Sequence, residues 1–207
     1  MHAVNFVHYP NVMSKRVFYI LFFVVLVSVF YLVVRKWIKS NDTISVVQPF
    51  SFTNQDGKTV TQQDVTGKVY LVEYFFTTCK GICPLMNRNL MKVYDRFKDR
   101  KDFLILSHTC QPEVDSVPRL KAFAESLGVN TAQWMFLTGR KDSLYYMARN
   151  SYTIDDPANN LKNIEDDFLH TQFWALVDRE GRVKKVYDAL EEGEVNALMK
   201  QINRMLK

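Results

Sequence analysis

Cys79 and Cys83 stand four residues apart in the run Phe75-Phe76-Thr77-Thr78-Cys79-Lys80-Gly81-Ile82-Cys83-Pro84, in a chain that has only three cysteines. An apolar strand pattern precedes the pair and a helical pattern follows it. A thiolate at a helix start is stabilised by the helix dipole and by unpaired N–H groups, so an acidic thiol is expected here. Side chains at i and i+4 share a helix face, which would let both sulfurs point at one spot. Such a dithiol exchanges disulfides or binds a soft metal. A C-x-x-x-C alone is a weak signal, because free cysteine is among the most buried residue types. The context strengthens it: Gly81 lies between the thiols, and Pro84 falls in the first helical turn, where its missing N–H costs nothing. Open α/β sheets also gather their ligands at the carboxyl ends of strands, and this is such an end.

His170, in Phe168-Leu169-His170-Thr171-Gln172, is the next candidate. A lone histidine is more often a surface or hydrogen-bonded residue than a ligand. In a thioredoxin-like fold, however, the loop before the strand at Phe173 packs beside the dithiol. A neutral imidazole there would complete a three-ligand S₂N site, a donor set that suits copper. Cys110 and His108 fall on one side of a second strand by alternation, at a sheet end expected to face the dithiol. Cys110 reads first as a small buried thiol, with a resolving thiol or fourth ligand as the sharper alternatives. His108 reads as structural or surface.

The elements that must position these residues follow from periodicity. Phe50–Phe52 and Lys58–Thr61 flank Asn54-Gln55-Asp56-Gly57 as a hairpin. Val69–Phe76 is a nearly continuous apolar run, a buried central strand. Ile82, Met86, Leu90, Val93 and Phe97 form the inward stripe of a helix. A second buried strand spans Phe103–Leu106. A helix at Ser116–Leu127 is stopped by Gly128. A short strand follows at Trp134–Leu137, then a helix capped by Asp142 and running to about Arg149. A polar loop covers Thr153–Asp167, and its acidic residues Asp155, Asp156, Glu165, Asp166 and Asp167 read as a solvated cluster. A hairpin of Phe173–Val177 and Arg182–Tyr187 and a helix at Glu191–Leu206 close the chain. Alternating strands and helices argue for a mixed α/β sheet flanked by helices, and ending on a hairpin and helix is the thioredoxin arrangement.

The chain is 47% hydrophobic with a formal net charge of +5. Val17–Val34 is 18 residues without a charge, about 27 Å of helix, close to a bilayer core. Lys15, Arg16, Arg35, Lys36 and Lys39 flank it, five cations that account for the net charge, so the basic balance does not imply nucleic acid. The run is longer than a signal-peptide h-region and no A-x-A-like site follows, which favours an uncleaved anchor. The expected organisation is a short tail at residues 1–16, a transmembrane anchor at 17–34, a polar tether at 35–47 and one domain at 48–207. A short tail before a large domain suggests a single-pass protein with its C-terminal domain outside. The tail is poor in Arg and Ser, which favours a bacterial cell (inner) membrane over an organelle.

Nearly the whole chain resembles the Sco proteins, copper-binding assembly factors of cytochrome c oxidase. The resemblance rests on the N-terminal anchor, the phenylalanine-rich strand leading into Thr78–Pro84, and Pro112-Glu113-Val114-Asp115-Ser116. It continues through His170-Thr171 and Leu176-Val177-Asp178-Arg179-Glu180-Gly181-Arg182-Val183. It implies a thioredoxin-like domain outside the membrane, with Cys79, Cys83 and His170 as copper ligands. It also implies delivery of copper to, or thiol reduction at, the binuclear copper site of the oxidase. The expected partners are the oxidase copper-site subunit and a thioredoxin-like reductant or copper donor. Two departures stand out: Leu169 replaces the Asp that commonly precedes the ligand histidine, and Ser107-His108-Thr109-Cys110-Gln111 is longer than the usual Ser-x-Asp before Pro112. The alternative function is a thiol–disulfide oxidoreductase with Cys79 and Cys83 as its redox dithiol. Against it, the loop lacks a Trp-Cys-x-x-Cys. A redox or copper sensor is a third reading.

Overall fold

The computed structural model describes residues 14–40, 43–159, 163–164 and 167–207. They fall into two compact units that divide between residues 42 and 43. The first is one helix, α1 (Lys15–Ser40). Its Lys15–Val34 stretch has mean hydropathy 3.0 and is long and apolar enough to cross a membrane. Residues 1–13 of the expected tail lie outside the described residues.

The second unit is the thioredoxin-like α/β domain that the sequence predicts. Its strands are β1 (Ser45–Val46), β2 (Ser51–Asn54), β3 (Thr59–Thr61), β4 (Val69–Phe75), β5 (Phe103–Thr109), β6 (Trp134–Thr138), β7 (Phe173–Val177) and β8 (Arg182–Asp188). Its helices are α2 (Gln62–Val65), α3 (Cys83–Phe97), α4 (Val117–Leu127), α5 (Lys141–Tyr146) and α6 (Glu192–Met205). The strands form one mixed sheet in the order β1-β8-β7-β4-β5-β6-β2-β3. Strands β4 and β5 are buried at every position. They run parallel, in register from Val69 opposite Phe103 to Phe75 opposite Thr109. Their carboxyl ends therefore finish together, and the candidate cysteines lie just beyond that edge.

Alternation along these strands sorts the core into two faces. Leu71, Phe75, Phe103 and Ile105 pack under α3, α4 and α6, against Met86, Leu90, Leu120, Leu198 and Ile202. Each fully buried leucine of this set contributes about 2 kcal/mol relative to exposure. Tyr70, Val72, Tyr74, Leu104 and Leu106 face the other way, toward Leu144, Tyr145 and Tyr152. Gly128 adopts φ +67° and ends α4, as the sequence predicts. At Gly139 a Cβ would lie 2.7 Å from the Phe52 ring, so only glycine lets β2 cross there.

Several expectations need correction. Ser45–Val46 pairs with β8 instead of joining the tether, because Val47 beside it is buried. Asp142 does not cap its helix. Arg140 holds the N-cap position, while Asp142 sits in the first turn and binds Arg140 and the Ser143 N–H. That helix ends at Tyr146 and passes into a π-turn, Met147–Ser151. The acidic cluster is not simply solvated. Asp155 and Asp167 both bind Arg149, and Asp167 is 3% exposed. Glu165 and Asp166 lie outside the described residues.

Candidate metal and redox site

The turn after β4 is fixed from below. The Cys110 N–H donates to the Phe75 carbonyl at 2.7 Å, and the Cys79 N–H donates to the Phe76 carbonyl at 3.2 Å. Asp115, fully buried, accepts from the Thr77 N–H at 3.2 Å, the Thr77 hydroxyl at 2.5 Å and the Thr109 hydroxyl at 2.5 Å. Thr78 reaches Gln111, and Arg119 donates to the Thr77 hydroxyl. Two loops that follow parallel strands are thereby tied together under the dithiol. Asp115 was not visible as this hub in the sequence, because nothing in its spacing links it to Thr77.

Cys79 lies in this turn, not on the helix, and Cys83 is the first residue of α3, with Pro84 next. The convergence expected from helical spacing nonetheless occurs: the Cys79 thiol stands close enough to Cys83 to perturb it. Cys79 is half-buried and Cys83 buried; both are reduced thiols, as is Cys110. The expected acidification fails at Cys83. Burial, then the hydrogen bond and charge of Cys79, push its thiol up to about 12. Desolvation at this site outweighs the helix dipole.

Glu73, on β4, is a group that sequence reasoning missed. It is 1% exposed, accepts from the Ser107 hydroxyl at 2.5 Å, and Trp134 Nε1 donates to that hydroxyl at 2.7 Å. Burial raises its carboxyl to about 7, opposed in part by the Ser107 bond. The available signal was one carboxylate within an otherwise apolar central strand, since a buried polar group is the informative exception.

Cys110 is 2% exposed, and burial raises its thiol well above the ordinary range. The small-buried-thiol reading fits it. His108 is structural: it stacks on Tyr74 at 5.0 Å, meets Phe52 edge-on at 5.3 Å, and burial lowers its imidazole to about 3.

His170 is exposed and lies in a depression of about 530 Å³ with Ile154, Asp156, Asn159 and Phe173. Cys79 and Cys83 line a different groove of about 560 Å³, walled by Phe76, Met91, Phe123 and Leu127. Among the described residues, no three His, Cys, Asp or Glu side chains stand close enough to hold one metal ion. The structure pairs the two sulfurs but does not bring His170 to them. What links the two places is aromatic: Phe168 stacks on His170 at 6.2 Å and meets Phe76 edge-on at 5.5 Å.

The backbone around His170 is anchored although its ring is not. Arg149, 3% exposed, donates through Nε to Asp155 at 2.7 Å and through both Nη atoms to Asp167 at 2.6 and 3.0 Å. Leu169 is buried in the core, where an Asp at this position would be desolvated. Thr171 donates its hydroxyl to the Ile154 carbonyl at 2.6 Å.

Comparison with known proteins bears on this arrangement. A family model described as SCO1/SenC matches residues 38–207. The SCO1 protein homolog of Bacillus subtilis (strain 168) is 34% identical over 149 residues, covering 70% of this chain and 75% of that protein. The structure of BsSco, described as a member of the Sco family of cytochrome c oxidase assembly proteins with a disulfide switch, is 29% identical. It superposes with TM-score 0.67 over 81% of this chain and 97% of that one. Arabidopsis thaliana ScoI, solved with copper bound, is 25% identical with TM-score 0.61, over 78% of this chain and 98% of that one. With a family-model match that covers all of the sheet and helices of the second unit, the chain belongs to the SCO1/SenC family.

Proposed function

We propose that this chain is a membrane-anchored copper chaperone. It binds copper through Cys79, Cys83 and His170 and helps assemble the binuclear copper site of cytochrome c oxidase. The observation that carries the reading is the pair Cys79–Cys83 lining one groove at the carboxyl end of the two central strands, next to the aromatic contact that leads to His170. Two thiolates and an imidazole are a soft donor set that fits copper. Copper here is cargo, and its uptake displaces the proton that Cys83 retains. The His170 side chain must turn toward the sulfurs, so the site is completed by the metal.

The organisation that goes with this function is a tail at residues 1–16, an anchor at 17–34, a tether that ends where β1 joins the sheet at Ser45, and a copper-binding domain from there to 207. The anchor holds the protein by a single pass in the bacterial inner membrane with the domain on the extracytoplasmic side. The oxidase copper-site subunit is the client, and a thioredoxin-like reductant or copper donor recharges the dithiol. Thiol–disulfide exchange as the main activity is less well supported, because the helix start does not acidify Cys83. The test is copper titration of the full reduced chain in detergent. One equivalent should bind, and His170→Ala should lose metal affinity while keeping its dithiol chemistry. Equal binding by the variant would end this reading.

A further inference from the structure

The dithiol turn and the His170 segment come from distant parts of the chain, yet one side chain touches the backbone of both. The Tyr145 hydroxyl donates to the Cys110 carbonyl at 2.9 Å, inside the core. The Leu169 backbone N–H faces the hydroxyl oxygen of Tyr145. Cys110 is itself bonded through its N–H to Phe75, at the base of the dithiol turn, and Leu169 immediately precedes His170. The Tyr145 ring is 1% exposed and held from one side by the guanidinium of Arg149, 5.4 Å from its centroid, which in turn grips Asp167. The hydroxyl is therefore not free to swing. It stands as a strut between the floor of the thiol site and the segment that presents the imidazole.

We propose that Tyr145 is a positioning residue for metal binding: its hydroxyl sets where the His170 backbone stands relative to Cys79 and Cys83. This rests on the reading of those three residues as copper ligands. The physical reason is that a ligand on an unanchored segment loses conformational freedom when it binds, whereas one on a braced backbone needs only to turn its side chain. Here the brace is chain-internal and supplied by the helix opposite. The Asp that commonly precedes the ligand histidine is replaced by Leu169, so no carboxylate at that position orients the imidazole. What is fixed at Leu169 is the main chain, whose N–H faces the Tyr145 hydroxyl.

The test uses Tyr145→Phe, which removes one oxygen and keeps the ring, its packing and its contact with Arg149. Full-length protein in detergent is compared as wild type, Tyr145→Phe and His170→Ala. Three readouts are taken: hydrogen exchange of the segment around Leu169 in the metal-free protein, copper(I) affinity by chelator competition, and the absorption and EPR spectra of the copper(II) form. Tyr145→Phe should exchange faster at Leu169 and bind copper roughly tenfold more weakly. Its spectra should shift toward those of His170→Ala, with the Cys79–Cys83 midpoint potential unchanged. A purely structural role would lower stability without moving the spectra. Unchanged exchange at Leu169 overturns the strut whether or not copper binds. Faster exchange with wild-type affinity and spectra overturns the positioning role. If His170→Ala binds copper as wild type does, the copper-site reading fails on its own evidence, and the positioning role fails with it.

Discussion

The two halves of the site are built in opposite ways. The dithiol turn is short, lies at the end of two fully buried strands and is pinned by a buried carboxylate that collects three hydrogen bonds. The His170 segment follows a long polar loop; its imidazole is exposed and lines a depression other than the groove of the sulfurs. It is anchored one and three residues upstream by Leu169 and Asp167, and one downstream by Thr171. The difference assigns separate tasks. The sulfurs are prepared in advance, at a cost in acidity that keeps Cys83 protonated. Under the proposed function the imidazole is stored nearby and recruited, so that one region would give the site its affinity for soft metal and the other would make binding conditional.

The largest expected effect comes from dismantling the anchor of the His170 half. Arg149→Leu leaves Asp155 and Asp167 without their buried partner and should cost about 3–5 kcal/mol in urea unfolding. A smaller loss would mean that the clamp is not buried in solution. Next is the hub of the rigid half. Asp115→Ala strands the Thr77 and Thr109 donors and should cost about 3 kcal/mol, with Asp115→Asn milder.

A pH-dependent effect follows from Glu73. Its carboxyl is raised from 4.5 to about 7. Between those values the unfolded chain has lost the proton while the folded protein keeps it. The stability this group contributes, fully present below pH 4.5, is therefore lost as pH rises toward 7. Glu73→Gln should remove a slope worth up to about 3 kcal/mol across that window, read as the difference in unfolding free energy between variant and wild type. A pH-independent difference would show that Glu73 is ionised throughout. The smallest effect is His170→Ala on stability, under about 0.5 kcal/mol because the ring is exposed.

The contrast between the two regions also separates what was legible in the sequence from what was not. Val69–Phe75, the α3 stripe and the Phe173–Asp188 hairpin were readable, because burial imposes a period on each. Gly128 was readable because only a left-handed cap needs it. The pairing of Cys79 with Cys83 was readable from their spacing, although the expected acidity was not, since desolvation depends on which residues close over Cys83. Asp115, Arg149 and Tyr145 were not readable. Each acts across long sequence separations, Tyr145 on Cys110 and Leu169, Arg149 on Asp167, Asp115 on Thr77. The acidic loop looked solvated because its partner, Arg149, is embedded in what reads as an ordinary amphipathic helix.

The central claim is that the sulfurs are prepared and the imidazole is recruited by the metal. The most direct measurement is the distance-dependent signature of His170 itself: copper(II) EPR with imidazole nitrogen couplings, on wild-type protein and on His170→Ala, with hydrogen exchange across residues 167–172 before and after loading. The account predicts one copper per chain, a nitrogen coupling that vanishes in the variant, and protection that rises on loading above its metal-free level. A copper signal without that coupling, or protection equal in the metal-free and loaded protein, would contradict it.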